Sequence, residues 1–262
     1  MKYIISLVLR YIIHFIMAVI SLFERLGLFR LGLGAGFGVR ASVGFAPVDG
    51  YLQTPAGGKP ETSDVKRPTL ADLGIRHTVF TDFEASWTNA RYIVYIGSRF
   101  INISKTGVLE KDLLSRTQFH AGEKFDAKIK FNLYRAGIKR RFKYFAPKTE
   151  YTVMDFSYRL DTGRACMERA YMKSAVRAGA EGQYDFGTAG ARLEFASSIP
   201  LPNTPTIFTT GAEFRYWLVP GRFSLGAGLS YLYLDYEDYQ EFSNHLRLEM
   251  KPILTVSTEL RF

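Results

Sequence analysis

Apolar and polar residues alternate with a period of two along most of the chain. The clearest stretch runs from Arg30 to Phe45, where every second residue is apolar and the residues between are glycine, arginine or serine. Successive side chains of a strand point to opposite faces, whereas a helix would spread these residues around its circumference, so this period predicts a strand. The same alternation predicts nine further strands, at about 77–88, 92–103, 125–133, 150–160, 166–180, 186–197, 206–218, 223–235 and 246–262.

The number of strands and the spacing of turns predict a closed barrel. Ten is an even number, as in bacterial single-chain membrane barrels, and the strands are longer than is usual in globular proteins. Most gaps after odd-numbered strands are long or proline-rich, whereas those after the second and eighth strands are tight. The pattern therefore predicts an all-β, antiparallel, up-and-down transmembrane barrel of about ten strands. Residues 139–149 are longer than a tight turn, and the alternation gives no reason for this.

Two long gaps are predicted to be loops at one end of the barrel. Residues 46–73 contain four prolines and three glycines, which are typical of a loop. Residues 105–122 form the second loop, in which Leu109, Leu113 and Leu114 have the spacing of one helical turn. Because surface loops frequently carry function, these two are the expected working surface.

The last predicted strand resembles a known signature. It ends on Phe262, and stepping back by twos gives Leu260, Thr258, Val256 and Leu254. This resembles the C-terminal strand of bacterial outer-membrane β-barrel proteins, and residues 30–262 fit that class as a pattern. The resemblance implies the outer membrane of a Gram-negative bacterium, contact with the bilayer and lipopolysaccharide, and recognition of the strand by the barrel-insertion machinery. A soluble sandwich or lipocalin-like barrel, with the same alternation inverted, is the alternative.

The N-terminal residues 1–29 form a separate segment. Lys2 is followed by an apolar run over residues 3–23, the order found in secretory signal peptides. Arg10 and His14 interrupt this run, and Val19-Ile20-Ser21 provides a cleavage site with small residues at the required spacing. We expect a signal peptide, with an uncleaved membrane helix as the alternative.

Composition agrees with a barrel. Aromatic residues are 15% of the chain, and the mean hydropathy of −0.05 is what alternating faces would average to. The net charge of +9 is spread along the strands. The only dense basic run, Lys139-Arg140-Arg141, is interpreted as a solvated turn, so no nucleic-acid partner is expected.

The single cysteine, Cys166, excludes an intrachain disulfide and is expected to face lipid or packed core. No cofactor and no metal site is expected.

The parity of each strand predicts which side chains face lipid and which face the lumen. Lipid-facing residues are predicted to be Phe37, Val39, Phe131, Phe195, Phe214, Leu229 and Val256. The predicted luminal charges are Arg40, Asp82, Glu84, Arg99, Asp126, Lys128, Lys130, Asp155, Arg159, Arg169, Lys173, Arg177, Arg192, Glu194, Glu213, Arg215, Glu259 and Arg261. Charges in a narrow lumen must pair to offset the cost of leaving water, which predicts a largely closed, salt-bridged interior.

Three functions remain open at this point. The leading hypothesis is a structural or surface-interaction barrel that acts through its extracellular loops. An outer-membrane enzyme acting on lipid A, phospholipid or peptide is the second, with His77, His120, Ser243 and His245 as candidate catalytic residues at the outer rim. A narrow anion-favouring channel is the third. Tyr231, Tyr233, Tyr236 and Tyr239 are predicted to form an aromatic belt at head-group level.

Overall fold

The computed structural model describes residues 36–53, 68–115, 117–238 and 244–262. Among these residues no helix is long and apolar enough to cross a membrane. The described strands are β1 Gly36–Gln53, β2 His77–Thr88, β3 Tyr92–Val108, β4 Leu113–Ser115, β5 Thr117–Phe119, β6 Lys124–Arg140, β7 Phe145–Asp161, β8 Cys166–Phe186, β9 Ala189–Ser198, β10 Thr206–Val219, β11 Phe223–Glu237 and β12 His245–Arg261.

Ten of these strands close into one antiparallel barrel. β1 pairs with both β2 and β12, and the order around the barrel is β1-β12-β11-β10-β9-β8-β7-β6-β3-β2. Closure leaves no unpaired strand edge, a condition that lipid imposes on any sheet crossing a membrane. The small strands β4 and β5 form a separate hairpin between β3 and β6. The prediction of a ten-stranded up-and-down barrel is therefore confirmed.

The two ends of the barrel differ in their connections. Four short turns, at residues 89–91, 141–144, 187–188 and 220–222, join strands at the end where β1 begins and β12 finishes, which we call the turn end. The other five connections join strands at the opposite end, the loop end. These are residues 54–76, 109–123, 162–165, 199–205 and 238–244.

Three predicted boundaries were wrong. Residues 139–149 are not a long turn, because β6 and β7 continue through them, with Lys139 opposite Lys148, and reverse at 141–144. The loop predicted at 46–73 begins later, because β1 continues to Gln53. Within 105–122, β3 continues to Val108 and the β4–β5 hairpin stands where a helical turn was expected. In each case the strand continues beyond the residues in which the apolar pattern is clear.

The exterior of the barrel has two zones. In the turn-end half, outward residues are apolar or aromatic, as with Tyr92, Val94 and Ile96 of β3. On β1, outward apolar residues run from Phe37 to Phe45, about nine residues, which is enough for a tilted strand to cross the hydrocarbon of a bilayer. On β6, β7 and β12 the outward side chains of the loop-end half are polar or charged. This half therefore stands in water above an apolar band.

The interior has the same two zones in reverse, and β6 shows this most clearly. Its inward residues in the loop-end half are apolar and buried, and in the turn-end half they are charged. Its outward residues change from polar to apolar at the same level. Inward from loop end to turn end lie Phe125, Ala127, Ile129, Phe131, Leu133, Arg135 and Lys139, and outward lie Asp126, Lys128, Lys130, Asn132, Tyr134, Ala136 and Ile138.

The predicted orientation was therefore wrong for β6 and β7. Phe131 is buried in the interior, and the Lys128 side chain is 62% exposed on the outside. Above the lipid, water replaces hydrocarbon around the barrel, so apolar side chains there are stable only inside. The apolar parity of β6 and β7 had been assigned to lipid along its whole length. The same error placed Asp126, Lys130, Asp155 and Arg159 in the lumen, whereas they lie on the outside.

Strand β12 makes the exchange with a bulge. Met250 pairs with Val48 and Leu254 pairs with Phe45, so three residues of β12 oppose two of β1 between these pairs. One extra residue reverses the parity of everything beyond it. Apolar residues of β12 at even positions consequently face inward before the bulge, as at Met250, and outward after it, as at Leu254.

Glycines make room for large side chains inside the barrel. A Cβ added at Gly44 would lie 2.1 Å from the ring of Phe80 on the neighbouring strand. A Cβ at Gly137 would lie 2.6 Å from the ring of Tyr95. Each glycine thus seats an inward aromatic ring against bare backbone.

Cysteine labelling will test the exchange of faces. In a Cys166→Ser background, because Cys166 is exposed, Lys128→Cys is expected to react with a water-soluble maleimide. Ile138→Cys, which is outward in the apolar band, should react only with a lipid-phase probe. Phe131→Cys should react with neither reagent while the barrel is folded, because residue 131 is fully buried. Lipid-phase labelling at 131 with protection at 128 would instead restore the orientation predicted from parity alone.

Candidate functional site

Charged side chains fill the turn-end half of the lumen, and Asp82 is the centre of one cluster. Nη2 of Arg135 donates to Oδ1 of Asp82 at 2.7 Å, and Nε of Arg99 donates to Oδ2 at 2.8 Å. All three side chains are 13% exposed or less. Both carboxylate oxygens are thus held by guanidinium groups, which is the geometry that a buried carboxylate needs.

A second cluster surrounds Glu150 of β7. Nη1 of Arg177 donates to Oε1 of Glu150, and the Tyr95 hydroxyl donates to Oε2 at 2.6 Å. Nη2 of Arg177 also donates to Oγ1 of Thr209 at 2.5 Å and to the carbonyl oxygen of Ala196 at 3.1 Å. The Glu150 and Arg177 side chains are each 1% exposed. These contacts join β3, β7, β8, β9 and β10 through the lumen.

A third cluster surrounds Glu181 of β8, whose partners come from β6 and β9. Oε2 of Glu181 accepts from Nζ of Lys139 and from Nη2 of Arg192, both at 2.8 Å. Nη1 of Arg215 donates to Oε2 of Glu259 at 2.9 Å. Further pairs connect strands that are not neighbours in the barrel, including Arg40 with Glu213. The charges therefore satisfy one another across the lumen.

Most of the predicted luminal charges do face the interior. The confirmed ones are Arg40, Asp82, Glu84, Arg99, Arg169, Lys173, Arg177, Arg192, Glu194, Glu213, Arg215, Glu259 and Arg261. Sequence reasoning missed Arg135, Lys139, Lys148, Glu150, Glu181 and Asp185. Apart from Glu150, these residues lie where β6, β7 and β8 continue beyond the predicted strands. Lys139, Lys148 and Glu150 share the apolar parity of β6 and β7, and charges on that parity were the signal that it faces the interior and not lipid.

An apolar core closes the lumen at the loop end. Inward residues of the strands pack there, among them Phe131, Phe156 and Leu248. Side chains from two connections complete this seal, namely Leu70, Leu73, Ile75, Leu109, Leu113 and Phe119. An ion pair of 2.9 Å between Lys111 and Asp72 joins the two connections above the core. Among the residues that the structure describes, this packing occupies the loop-end half of the interior.

A cavity of about 740 Å³ occupies the turn-end half. Its wall includes Arg40, Arg192 and Arg215 from the charge clusters, and Arg141 and Lys143 from the β6–β7 turn. Because the apolar core blocks the other side, this cavity is a blind vestibule open toward the turn end. Most of its charged wall is already committed to ion pairs.

Among the described residues, His245 is the candidate histidine whose ring lies within hydrogen-bond distance of a carboxylate. Its Nε2 lies 3.0 Å from Oδ1 of Asp235 and 2.9 Å from the Tyr51 hydroxyl. Its Nδ1 is 3.8 Å from Oε2 of Glu237. Burial opposes ionisation of Asp235, but hydrogen bonds from His245 and Tyr233 outweigh it and keep the pKa of Asp235 below its usual value. The group lies outside the barrel, at the loop end.

The other candidates are dispersed around the loop end. His77 begins β2 and stacks on the ring of Phe45, and exposed His120 lies 3.9 Å from Oδ2 of Asp112. Ser243 and Tyr239 lie outside the described residues. Within the part of the chain that the structure describes, no group of three histidine, cysteine or acidic side chains is placed to hold a metal ion.

Two further placements differ from expectation. Tyr236 is buried in the apolar core, whereas Tyr231 and Tyr233 lie outside, so the four tyrosines do not form one belt. Cys166 begins β8 at the loop end and is exposed, not packed or covered by lipid. Both residues belong to the loop-end half, where the faces of the barrel are exchanged.

The sequence matches no protein-family model and no curated protein. Among solved structures it is similar to Ail, the attachment invasion locus protein of Yersinia pestis, with 11% identity over 86% of this chain and 98% of that chain and a TM-score of 0.39. Neisserial surface protein A is 11% identical over 87% and 99%, with a TM-score of 0.37. The CymD monoaromatic hydrocarbon channel is 11% identical over 87% and 88%, with a TM-score of 0.36. Similarity this weak says nothing about what this chain binds or transports.

The predicted outer-membrane location is confirmed by the barrel itself. The described strands close without an edge, and an apolar exterior band surrounds the turn-end half. Closed antiparallel barrels with such a band belong to bacterial outer membranes. The chain is thus a small outer-membrane β-barrel of a Gram-negative bacterium, with a polar, charge-paired lumen inside the band.

The charge clusters predict that replacing one partner of a buried ion pair lowers the free energy of unfolding more than replacing both partners does. Arg177→Met is expected to lower the free energy of unfolding by about 3–5 kcal/mol, because it leaves Glu150 buried without its cation. Adding Glu150→Gln should recover part of this loss, since the amide oxygen can still accept from Tyr95. The measurement is urea unfolding in lipid vesicles, followed by tryptophan fluorescence.

The matched control is Arg159→Met on the outside of β7. Its partner Asp161 is at 2.8 Å, but the Arg159 side chain is 50% exposed. Loss of an exposed pair should cost less than about 1 kcal/mol. A double variant no more stable than Arg177→Met would show that Glu150 is not the group left unsatisfied.

Proposed function

We propose that this protein is a closed outer-membrane barrel that acts as a structural or surface-interaction protein through its loop end. The observation that supports this is the apolar core across the loop-end half, completed by side chains of residues 68–76 and 109–123. A barrel closed in this way provides a surface for binding and no channel for solutes. In this proposal the turn end faces the periplasm, and the loop end faces outward through the lipopolysaccharide leaflet.

The loop end suits a binding role because its connections are anchored. Leu70 and Leu73 are buried beneath one connection, and Leu113 and Phe119 beneath the other. Residues beside these anchors expose polar groups, such as Glu110 and Asp112. A partner would therefore meet a surface of fixed shape, which reduces the ordering cost of binding. This surface is the described part of the loops that the sequence marks as the working surface.

The two ends of the chain complete the proposal. Residues 1–29 lie outside the described residues, and we assign them the role of export signal. At the other end, the backbone N–H of Phe262 donates to the carbonyl oxygen of Phe37 at 2.8 Å, so the terminal residue helps to close the barrel. We propose that the insertion machinery recognises the β12 strand ending in Phe262 before this closure forms.

Planar-bilayer recording tests whether the lumen conducts. The reconstituted protein is expected to show no steady conductance, because the apolar core blocks the loop end and ion pairs fill the other half. An open porin inserted under the same conditions serves as the positive control for reconstitution. A steady ohmic current carried by this barrel would favour the narrow anion channel and overturn the closed-lumen proposal.

A second candidate function, hydrolysis at the outer rim, is favoured by one specific contact. The 3.0 Å approach of Asp235 to His245 is the arrangement that orients a histidine as general base. Two features weaken it. Tyr51 shares the same ring nitrogen, and the cavity described above does not lie beside His245. The substrate classes to consider are phospholipid, lipid A and peptide.

The variant His245→Gln separates this candidate from a purely structural cluster. If the cluster is catalytic, purified protein will hydrolyse a phospholipid, lipid A or a fluorogenic peptide, and His245→Gln will reduce the rate by about 10²–10⁴-fold. His120→Gln, at an exposed histidine of the same rim, is the matched control and should retain the full rate. No turnover of any of the three substrates by the unaltered protein would eliminate this candidate.

A further inference from the structure

The turn end carries cations that no ion pair uses. Its four turns, residues 89–91, 141–144, 187–188 and 220–222, contain Arg91, Arg141, Lys143 and Arg222 and no aspartate or glutamate. Arg140, the last residue of β6, adds a fifth exposed cation. In the residues that the structure describes, no salt bridge is formed by any of these five side chains. The four turns thus carry positively charged side chains and no negatively charged ones.

Five cations on the outer surface of the loop-end half behave differently. Nζ of Lys130 lies 2.6 Å from Asp155, and Nζ of Lys251 lies 2.7 Å from Glu249. Lys128, Arg159 and Arg247 also contact a carboxylate. The chain therefore supplies these outer cations with intramolecular partners and leaves the cations of the turn end without them.

Two neighbouring turns bring several of the unpaired cations together. The backbone N–H of Arg141 donates to the carbonyl oxygen of Arg91 at 2.7 Å, and Nη1 of Arg141 donates to the carbonyl oxygen of Asn89 at 3.2 Å. Residues 89–91 and 140–144, the basic turn pair, thus place Arg91, Arg140, Arg141 and Lys143 side by side. Like charges held together this way repel one another unless an anion lies between them.

Exposed aromatic rings stand among these cations. Phe142, Tyr144 and Phe145 are each half exposed or slightly more. The guanidinium of Arg140 lies 5.3 Å from the Phe142 ring centroid, and Nζ of Lys143 lies 4.9 Å from that of Tyr144. These rings continue the apolar band toward the turn end. Aromatic rings in this position lie at the head-group level of a bilayer, where lipid phosphates are found.

We propose that the basic turn pair binds the phosphate of an anionic phospholipid in the leaflet at the turn end. The rings lie against the upper part of the acyl chains, and the arginine and lysine groups reach the phosphodiester and its neighbouring anionic group. Guanidinium groups bind phosphate oxygens through two parallel hydrogen bonds. Charge complementarity and continuity with the lipid-exposed band identify the occupant as a lipid. A soluble anion would gain nothing from the exposed rings.

The test measures lipid selectivity with a charge-matched control. The full-length barrel is reconstituted in phosphatidylcholine nanodiscs containing a minority of phosphatidylglycerol, then released and examined by native mass spectrometry. The unaltered protein should retain phosphatidylglycerol in preference to phosphatidylcholine. Arg140→Gln/Arg141→Gln/Lys143→Gln should reduce this preference by on the order of ten-fold or more. Lys128→Gln/Lys130→Gln/Arg159→Gln, which removes the same charge from the loop-end half, should keep it.

One further variant and one competitor make the result specific. Arg140→Lys/Arg141→Lys keeps the charge and should keep most of the preference, and heat-dependent mobility on gels shows that every variant is folded. Glycerol phosphate should not displace the lipid, because it lacks acyl chains for the rings. Equal retention of both lipids by the unaltered protein would overturn the proposal. So would an unchanged preference in the triple turn variant, or full displacement by glycerol phosphate.

Discussion

One constraint organises the whole barrel. Strand pleating fixes alternate side chains to opposite faces, while the medium outside changes from hydrocarbon to water partway along the strands. The apolar face must therefore change sides at that level. In β6 this occurs between Leu133 and Arg135 on the inside and between Asn132 and Tyr134 on the outside, with no break in the strand. In β12 a one-residue bulge moves the apolar residues from the inner face to the outer face.

The exchange decides what the lumen contains. Where lipid surrounds the barrel, polar side chains have only the interior, and they are stable there because Asp82, Glu150 and Glu181 are each held by cations from other strands. Burying these groups without such partners would cost several kcal/mol each. Where water surrounds the barrel, the interior is free to pack as an ordinary apolar core, and two connections seal it. Ion pairs therefore hold the interior together where lipid surrounds the barrel, and apolar packing does so where water surrounds it.

The two ends are consequently suited to different contacts. At the loop end, buried leucines and Phe119 hold the connections in place, and surface cations such as Lys130 and Lys251 already have carboxylate partners. At the turn end, Arg141 and Lys143 have none, and exposed rings surround them. Unpaired charge beside an apolar band favours contact with lipid head groups. Paired charge on a surface of fixed shape favours a partner that binds through shape complementarity.

The sequence by itself determined the class of fold, the number of barrel strands and, on strands other than β6 and β7, the face of each strand within the apolar band. A period of two is local, so β2 was delimited correctly as 77–88, and Arg192 and Phe214 were assigned to the correct sides. Only the tertiary structure decided where the medium changes, because that level depends on how strands align around the barrel. Phe131 and Lys128 were therefore reversed. The partnership of Arg177 with Glu150 and the meeting of Arg91 with Arg141 were equally invisible, since each joins residues that closure alone brings together.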